Sequence, residues 1–375
     1  MKTTRLLPGV CALVLWSQPA LAQGSIETRT AFFAESYRFD AGLVYNKVRQ
    51  YTVPFGVTVP FGEKGHVALS TGYTAVELYS TDQSQLRNQY LSGIMDTEAR
   101  VAWNALPGRL TLLLTGTIPT GITNVETEQL SVLGALASDI IGFTAPSIGA
   151  GAGVGAGFAA AVPIGSWALG LGGTFRQSFG YNAWADNPNQ LKPGSEMRLR
   201  MGIEGRLGRQ TYLRAATVLA HRQKDQVGDS TVNGIGNRFV GYLAVNHGIA
   251  NTSLQVYAFD VYRANPRIEE TAVGAAILPR GNLVGVGASW TAPAWKLSVT
   301  PRGEFRYSRQ APLDGSGGMQ RAGQSVRLGI TVRYPLTQQL AVVGQGSWAS
   351  GNVVQAETDV GFHGTRGAIH LEWRP

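Results

Sequence analysis

Glu196-Met-Arg-Leu-Arg-Met-Gly-Ile-Glu-Gly-Arg206 is the stretch that decides how this chain folds. Met197, Leu199, Met201 and Ile203 occupy every second position, with Glu196, Arg198, Arg200, Glu204 and Arg206 between them. A period of two sends the sets to opposite faces of a strand, whereas a helix would mix them around its axis. The alternation returns downstream, where Trp295, Leu297, Val299, Phe305 and Tyr307 share one parity and Lys296, Arg302, Glu304 and Arg306 the other. Two solvents fit such a ribbon. In a soluble sandwich the apolar face is the core, and in a membrane barrel it meets lipid while the charges line a lumen.

Loop lengths separate the two cases. Short connections at 61–65, 107–108, 163–165, 208–209, 247–249, 292–294 and 335–337 alternate with long ones near 80–93, 121–146, 180–194, 223–236, 265–281, 309–323 and 351–363. A barrel inserted from the periplasm has tight turns on one rim and long loops on the other, and a sandwich has no reason to sort its loops. Hydrocarbon offers no hydrogen-bond partner, so the sheet must close. Fifteen strands fit between Val48 and Arg374, and one more near residues 36–46 brings both termini to the periplasm. The expected fold is therefore all-β, a transmembrane antiparallel barrel of about sixteen strands, with about fourteen as the alternative.

Working outward, the N-terminus reads as an export signal over residues 1–22. Lys2 and Arg5 supply the positive region, residues 10–16 the apolar one, and Ala20-Leu-Ala22 the cleavage site. Cys11, the single cysteine, lies within it, so neither disulfides nor a thiolate nucleophile is expected in the mature chain. With no linker or compositional break, residues 23–375 read as one barrel, and 23–35 as a short periplasmic or lumenal segment. Trp103, Trp167, Trp290, Trp295, Trp348 and Trp373 fall near inferred strand ends, where aromatic girdles form. Gly367, Ile369, Leu371 and Trp373 make an apolar row that suits recognition by the barrel-assembly machinery, and outer-membrane lipid is the other expected partner.

Residues 148–175 carry no charge, and Gly149, Gly151, Gly153, Gly155 and Gly157 fall at every second position. They read as two strands turning at Pro163, the first presenting a smooth inner face. Close packing of another group on that face is the functional alternative to simple relief of crowding.

Catalytic chemistry finds little support. His66, His221, His247, His363 and His370 are scattered without metal-ligand spacing, and His221 has no Gly-x-Ser-x-Gly partner. No enzyme activity, metal or cofactor is expected. The formal net charge of +8 is spread along strands rather than clustered on a helix, which argues against nucleic acid as a partner.

Loop 121–146 is the most informative segment outside the strands. Leu130, Leu133, Ala137 and Ile140 or Ile141 fall at helical spacing behind acidic residues. Such a helix either folds into the lumen as a constriction or presents Leu130, Leu133, Leu136 and Ile140 as a capture site for hydrophobic solutes; a third alternative is simple stabilisation of the rim.

Ser92-Gly-Ile-Met-Asp-Thr97 and Leu110-Thr-Leu-Leu-Leu-Thr-Gly-Thr-Ile-Pro-Thr-Gly121 carry a resemblance. They are similar to motifs of the outer-membrane family named for meta-pathway phenol degradation, a relative of the long-chain fatty-acid transporters. Here Ile94-Met95 replaces the usual Leu-Gly before Asp96, and the segment after Gln23 is short for an N-terminal hatch. The resemblance implies a barrel for passive uptake of small hydrophobic or aromatic compounds. The rival reading is a weakly anion-selective porin lined by Arg198, Arg200, Glu204, Arg206, Arg302, Glu304, Arg306, Arg327 and Arg333, with Arg366 inward as well. Those arginines could equally pair with Glu196, Glu204, Glu304 and Glu372 into ladders that stiffen the wall, and a structural or surface-interaction barrel is the third alternative.

Overall fold

Alternating side chains along each strand, and the need to pair every backbone edge, produce a closed antiparallel barrel of 16 strands in the computed structural model. The structure describes residues 27–82, 87–145, 149–185, 188–267, 278–312, 317–355 and 358–373; the export signal with Cys11 lies outside them. In chain order the strands are β1 (Glu27–Phe39), β2 (Tyr45–Phe61), β3 (Gly65–Ser80), β4 (Gln89–Ile94), β5 (Thr97–Leu106), β6 (Leu110–Ile118), β7 (Gly153–Ile164), β8 (Trp167–Ser178), β9 (Leu191–Lys192), β10 (Glu196–Arg206), β11 (Thr211–Arg222), β12 (Gln226–Val227), β13 (Ser230–Thr231), β14 (Arg238–Ile249), β15 (Thr252–Arg263), β16 (Gly281–Ala294), β17 (Leu297–Gln310), β18 (Gln320–Pro335), β19 (Leu340–Gln355) and β20 (Thr358–Trp373). β9, β12 and β13 form a small separate sheet in the loops. β4 and β5 are two halves of one wall strand, both paired to β3, and β20 closes on β1 from Ala31↔His370 to Phe39↔Phe362.

The outward face is the apolar one. Met197, Leu199, Met201 and Ile203 are all exposed, as are Phe55, Leu114, Phe175 and Leu328 elsewhere around the wall. Ten residues separate the outward Tyr51 and Phe61; at about 3.3 Å per residue and a tilt near 40°, that is about 25 Å of height, the thickness of a lipid-facing belt.

Several boundaries differ from the sequence reading. β1 starts at Glu27 rather than near residue 36, so most of segment 23–35 is wall. The turn expected at 247–249 sits at Ala250, and that expected at 292–294 sits at Trp295, both with positive φ. Trp295 is thus a turn apex, 89% exposed, and does not share the strand face of Leu297 and Val299. Strand continues through 351–355 and 358–363, where a long loop was expected. Residues 148–175 do yield two strands, but β7 begins only at Gly153, leaving Gly149 and Gly151 in the preceding loop.

Candidate functional site

β6 stops at Ile118 and β7 starts at Gly153, and most of the chain between them turns into the lumen. The expected helix is present but short, α1 (Leu130–Leu136), entered through a 3-10 turn at Thr127–Gln129. Of the two main alternatives for this loop, the structure takes the inward one. Leu136 and Ile140 are buried, Leu130 and Leu133 pack against the same apolar cluster, and that cluster joins the loop's Val132, Ile141 and Phe143 to inward Tyr37, Val48, Val76 and Phe362 of the wall. The Phe143 ring meets Tyr37 edge-on at 5.2 Å. The four residues expected to capture solute are therefore part of the lumenal packing and are not displayed outward. Wall glycine permits this: a Cβ on Gly364 would lie 2.2 Å from the Tyr37 ring.

Polar side chains of the wall hold the loop backbone. Arg366, Glu35 and Gln50 stand directly opposite one another on β20, β1 and β2, in a single row. Arg366 donates to the Gly142 carbonyl at 2.5 Å, and Glu35 accepts from the Thr144 N–H at 2.9 Å. Gln50 pairs with Ala145 through both amide atoms, at 2.7 and 3.1 Å. Arg366 also forms an ion pair with Glu35, whose side chain is wholly buried. Farther round, Arg327 donates to the Ile141 carbonyl, Ser325 to that of Ile140, and Arg306 to that of Asp139. A loop segment crossing a lumen has unpaired carbonyls and amides, and this ring of side chains supplies partners for several of them.

Both ends of the loop meet at Asp96, in the joint between β4 and β5. One carboxylate oxygen accepts from the Gly121 N–H at 3.0 Å and the other from the Ala150 N–H at 2.7 Å. The Thr120 hydroxyl donates to the Met95 carbonyl at 2.9 Å. The two short motifs that carry the family resemblance therefore build one joint. Gly151 at φ 77° leads out of it under the Tyr181 ring, so the group packed on the early glycines is the chain's own loop; burial pushes the Tyr181 phenol above its ordinary pKa. Gly155 and Gly157, within β7, face Thr115 and Thr174 of the wall. Replacing Asp96 with Asn puts an NH2 against one of two backbone donors. Charged hydrogen bonds are worth about 1.5–3 kcal/mol, so proteolytic nicking within the loop is expected to quicken by about tenfold or more; an unchanged rate in folded protein would remove Asp96 as the clasp.

Other lumenal charges expected from sequence fall into pairs or stand free. Arg198 pairs with Glu196, Glu204 with Arg214 at 2.8 Å, and Arg333 with Glu372 at 2.8 Å. Glu304 accepts from Arg306 at 2.7 Å and from the Tyr257 hydroxyl at 2.5 Å. Arg200, Arg206 and Arg302 have no ion pair among the described residues. The ladder reading thus describes several of these residues, and loop anchoring describes Arg306, Arg327 and Arg366.

A cavity of about 640 Å³ lies between residues 137–140 of the loop and the extracellular half of the wall, with Arg198, Arg222, Arg238 and Arg263 on its lining. Strand pairing puts Arg198, Ala220, Arg238 and Arg263 in one row across β10, β11, β14 and β15. Arg263 faces Asp139 of the loop at 3.7 Å and Arg222 pairs with Asp225 at 3.0 Å, whereas Arg238 has no acidic partner among the described residues. A second cavity, of about 1190 Å³, lies toward the periplasmic rim and is lined by Arg29, Asp96, Glu98, Arg176 and Glu372 among others. The sequence pattern gives no role to Glu35, Gln50, Arg238 and Arg263, and marks Asp96 only as part of a motif; inward parity at the upper ends of β14 and β15 is the signal for Arg238 and Arg263.

No family model matches the chain, and no curated protein matches it. Among solved structures, a bacterial polysaccharide outer membrane secretin is similar over 93% of this chain and 98% of its own, at 9% identity and a TM-score of 0.51. The chain has the outer-membrane barrel fold. Acinetobacter baumannii OccAB3 covers 93% of this chain and 99% of its own at 11% identity and a TM-score of 0.48. The outer membrane channel DcaP of the same organism covers 95% and 100% at 11% identity and 0.42. At such identities the likeness extends to the fold of the barrel and no further.

Proposed function

We propose that this barrel is a passive, non-catalytic outer-membrane channel with a weak preference for small anionic solutes. The observation that carries this reading is the guanidinium row on the extracellular cavity, centred on Arg238, which has no acidic partner among the described residues. A solute entering from the long-loop rim meets this row before the inward loop, and rings of Arg favour anions. The loop then sets the width of passage toward the larger, mixed-charge periplasmic cavity.

Uptake of small hydrophobic or aromatic compounds is the second reading, and one feature favours it. β4 is paired to β3 but has no wall strand on its other side among the described residues. Gln129 donates to the Tyr90 carbonyl there, and Ile122 packs on Gly93, so the apolar loop fills the place of a strand. Displacing it would open a path from lumen to lipid beside Leu130 and Leu133.

Planar-bilayer recording of the refolded mature protein across a KCl gradient separates the two. Sustained conductance with a reversal potential on the chloride side is the expected result. A folded barrel that passes no current, yet admits an apolar dye into vesicles, would replace this reading with the second.

A further inference from the structure

The outer surface carries a cationic cluster that neither lumen nor loop uses. Inward Tyr37, Phe39, Val48 and Leu78 are buried, so Arg38, Lys47, Arg49 and Tyr79, at the opposite parity, point outward. His363, Arg38, Lys47 and Tyr79 stand directly opposite one another on β20, β1, β2 and β3. Three inter-strand steps make this row about 14 Å wide. Ser36, Arg49 and Glu77 form the next outward row toward the membrane.

The position of the cluster relative to lipid is fixed by the aromatic belt. Outward Tyr51 stacks with Phe32 at 6.5 Å between centroids. Arg49 lies two residues beyond Tyr51 and Lys47 four, about 5 and 10 Å higher on a tilted strand. That is the headgroup level of the outer leaflet, on the long-loop side. Arg49 is partly compensated, with Glu77 at 3.6 Å and the Tyr79 hydroxyl at 3.1 Å, and Tyr79 in turn donates to Glu77. Asp40 lies two residues beyond Arg38. Neither Arg38 nor Lys47 has an ion pair among the described residues; Lys47 rests over the Tyr79 ring at 5.3 Å. Like charges directly opposite on paired strands destabilise a sheet, so an external anion between Arg38 and Lys47 would relieve their repulsion.

We propose that this row binds the phosphates of an outer-leaflet phosphorylated glycolipid, with Arg38 and Lys47 as principal contacts and Arg49 in support. Its chains would lie on Phe32, Tyr51 and Tyr73, exposed immediately below. The site depends on the barrel spanning a membrane and not on whether its lumen conducts.

The test uses the full mature chain in phosphatidylcholine nanodiscs containing a minor fraction of diphosphoryl lipid A. The protein is extracted into mild detergent and its retained glycolipid weighed by mass spectrometry. Each basic residue at an anionic lipid surface contributes roughly fivefold, so Arg38→Gln/Lys47→Gln/Arg49→Gln is expected to retain at least tenfold less than the parent. Equal retention by the triple variant would overturn the site. So would equal retention of phosphatidylglycerol by the parent, or release of the glycolipid by millimolar inorganic phosphate, which would indicate a free-anion site. Heat-modifiable migration checks folding. If the triple variant does not fold, Arg38→Gln and Lys47→Gln singly decide, and unchanged retention in both would overturn the assignment.

Discussion

Glu35→Ala is expected to release the inward loop and raise single-channel conductance several-fold, with frequent fluctuations, while the barrel stays folded. The carboxylate does two jobs at once, pairing with Arg366 and accepting the Thr144 N–H. Removing one member of a buried ion pair costs about 3–5 kcal/mol, because the remaining charge keeps its desolvation penalty. The barrel need not absorb that cost globally. β1 remains paired with β2 and β20 along its length, so the strain is relieved locally, by the Gly142–Ala145 segment leaving the wall and water reaching Arg366. Gln50→Ala should act in the same direction and less strongly, since it removes two neutral hydrogen bonds and no charge. Glu35→Gln keeps an acceptor for Thr144 and should fall between. Conductance of Glu35→Ala at the parental level in a correctly folded barrel would mean that the apolar cluster alone holds the loop.

How far this arrangement can be read from sequence depends on the range of the interaction. Strand faces are local, so Met197, Leu199 and Ile203 declare themselves as lipid-facing, and alternating loop lengths give the closed barrel and its strand number. The helical spacing from Leu130 onward is local too, and it marks a helix, although only seven residues adopt it. What decides that the helix turns inward is not local. Glu35 and Arg366 lie near opposite ends of the chain and meet only because the last strand closes on the first. Along the sequence Glu35 looks like a polar residue before the first strand, so the pattern starts β1 near residue 36 although the strand begins at Glu27. Asp96 is similar: its motif is visible, but its two backbone partners at Gly121 and Ala150 are gathered by the loop's return. The inward arginines were legible as a set; which of them hold the loop and which face solute depends on the path of residues 139–145 across the wall.

The same path leaves Arg238 as the residue on which ion selectivity should turn. Asp139 draws on Arg263 and Glu196 on Arg198, so the row's two flanking charges are offset, while its central one has no acidic partner among the described residues. Arg238→Glu changes the local charge by two units directly opposite Arg263. Two unit charges 4 Å apart in water interact by about 1 kcal/mol, so the exchange disfavours a passing anion by about 2 kcal/mol, and favours a cation by as much, before screening. That corresponds to roughly thirtyfold in the occupancy of each ion, in opposite directions, enough to turn a weak anion preference into a cation preference at 0.1 M salt, where the Debye length is about 10 Å. At 1 M it shrinks to about 3 Å, and parent and variant should converge. Arg238→Gln should abolish the preference without reversing it. Because Arg238 makes no hydrogen bond or ion pair with the loop among the described residues and reaches it only through its neighbour Arg263, total conductance should change less than in Glu35→Ala. A reversal potential that stays on the chloride side in Arg238→Glu at low salt would assign selectivity to the loop-facing guanidinium groups of Arg306 and Arg327 instead.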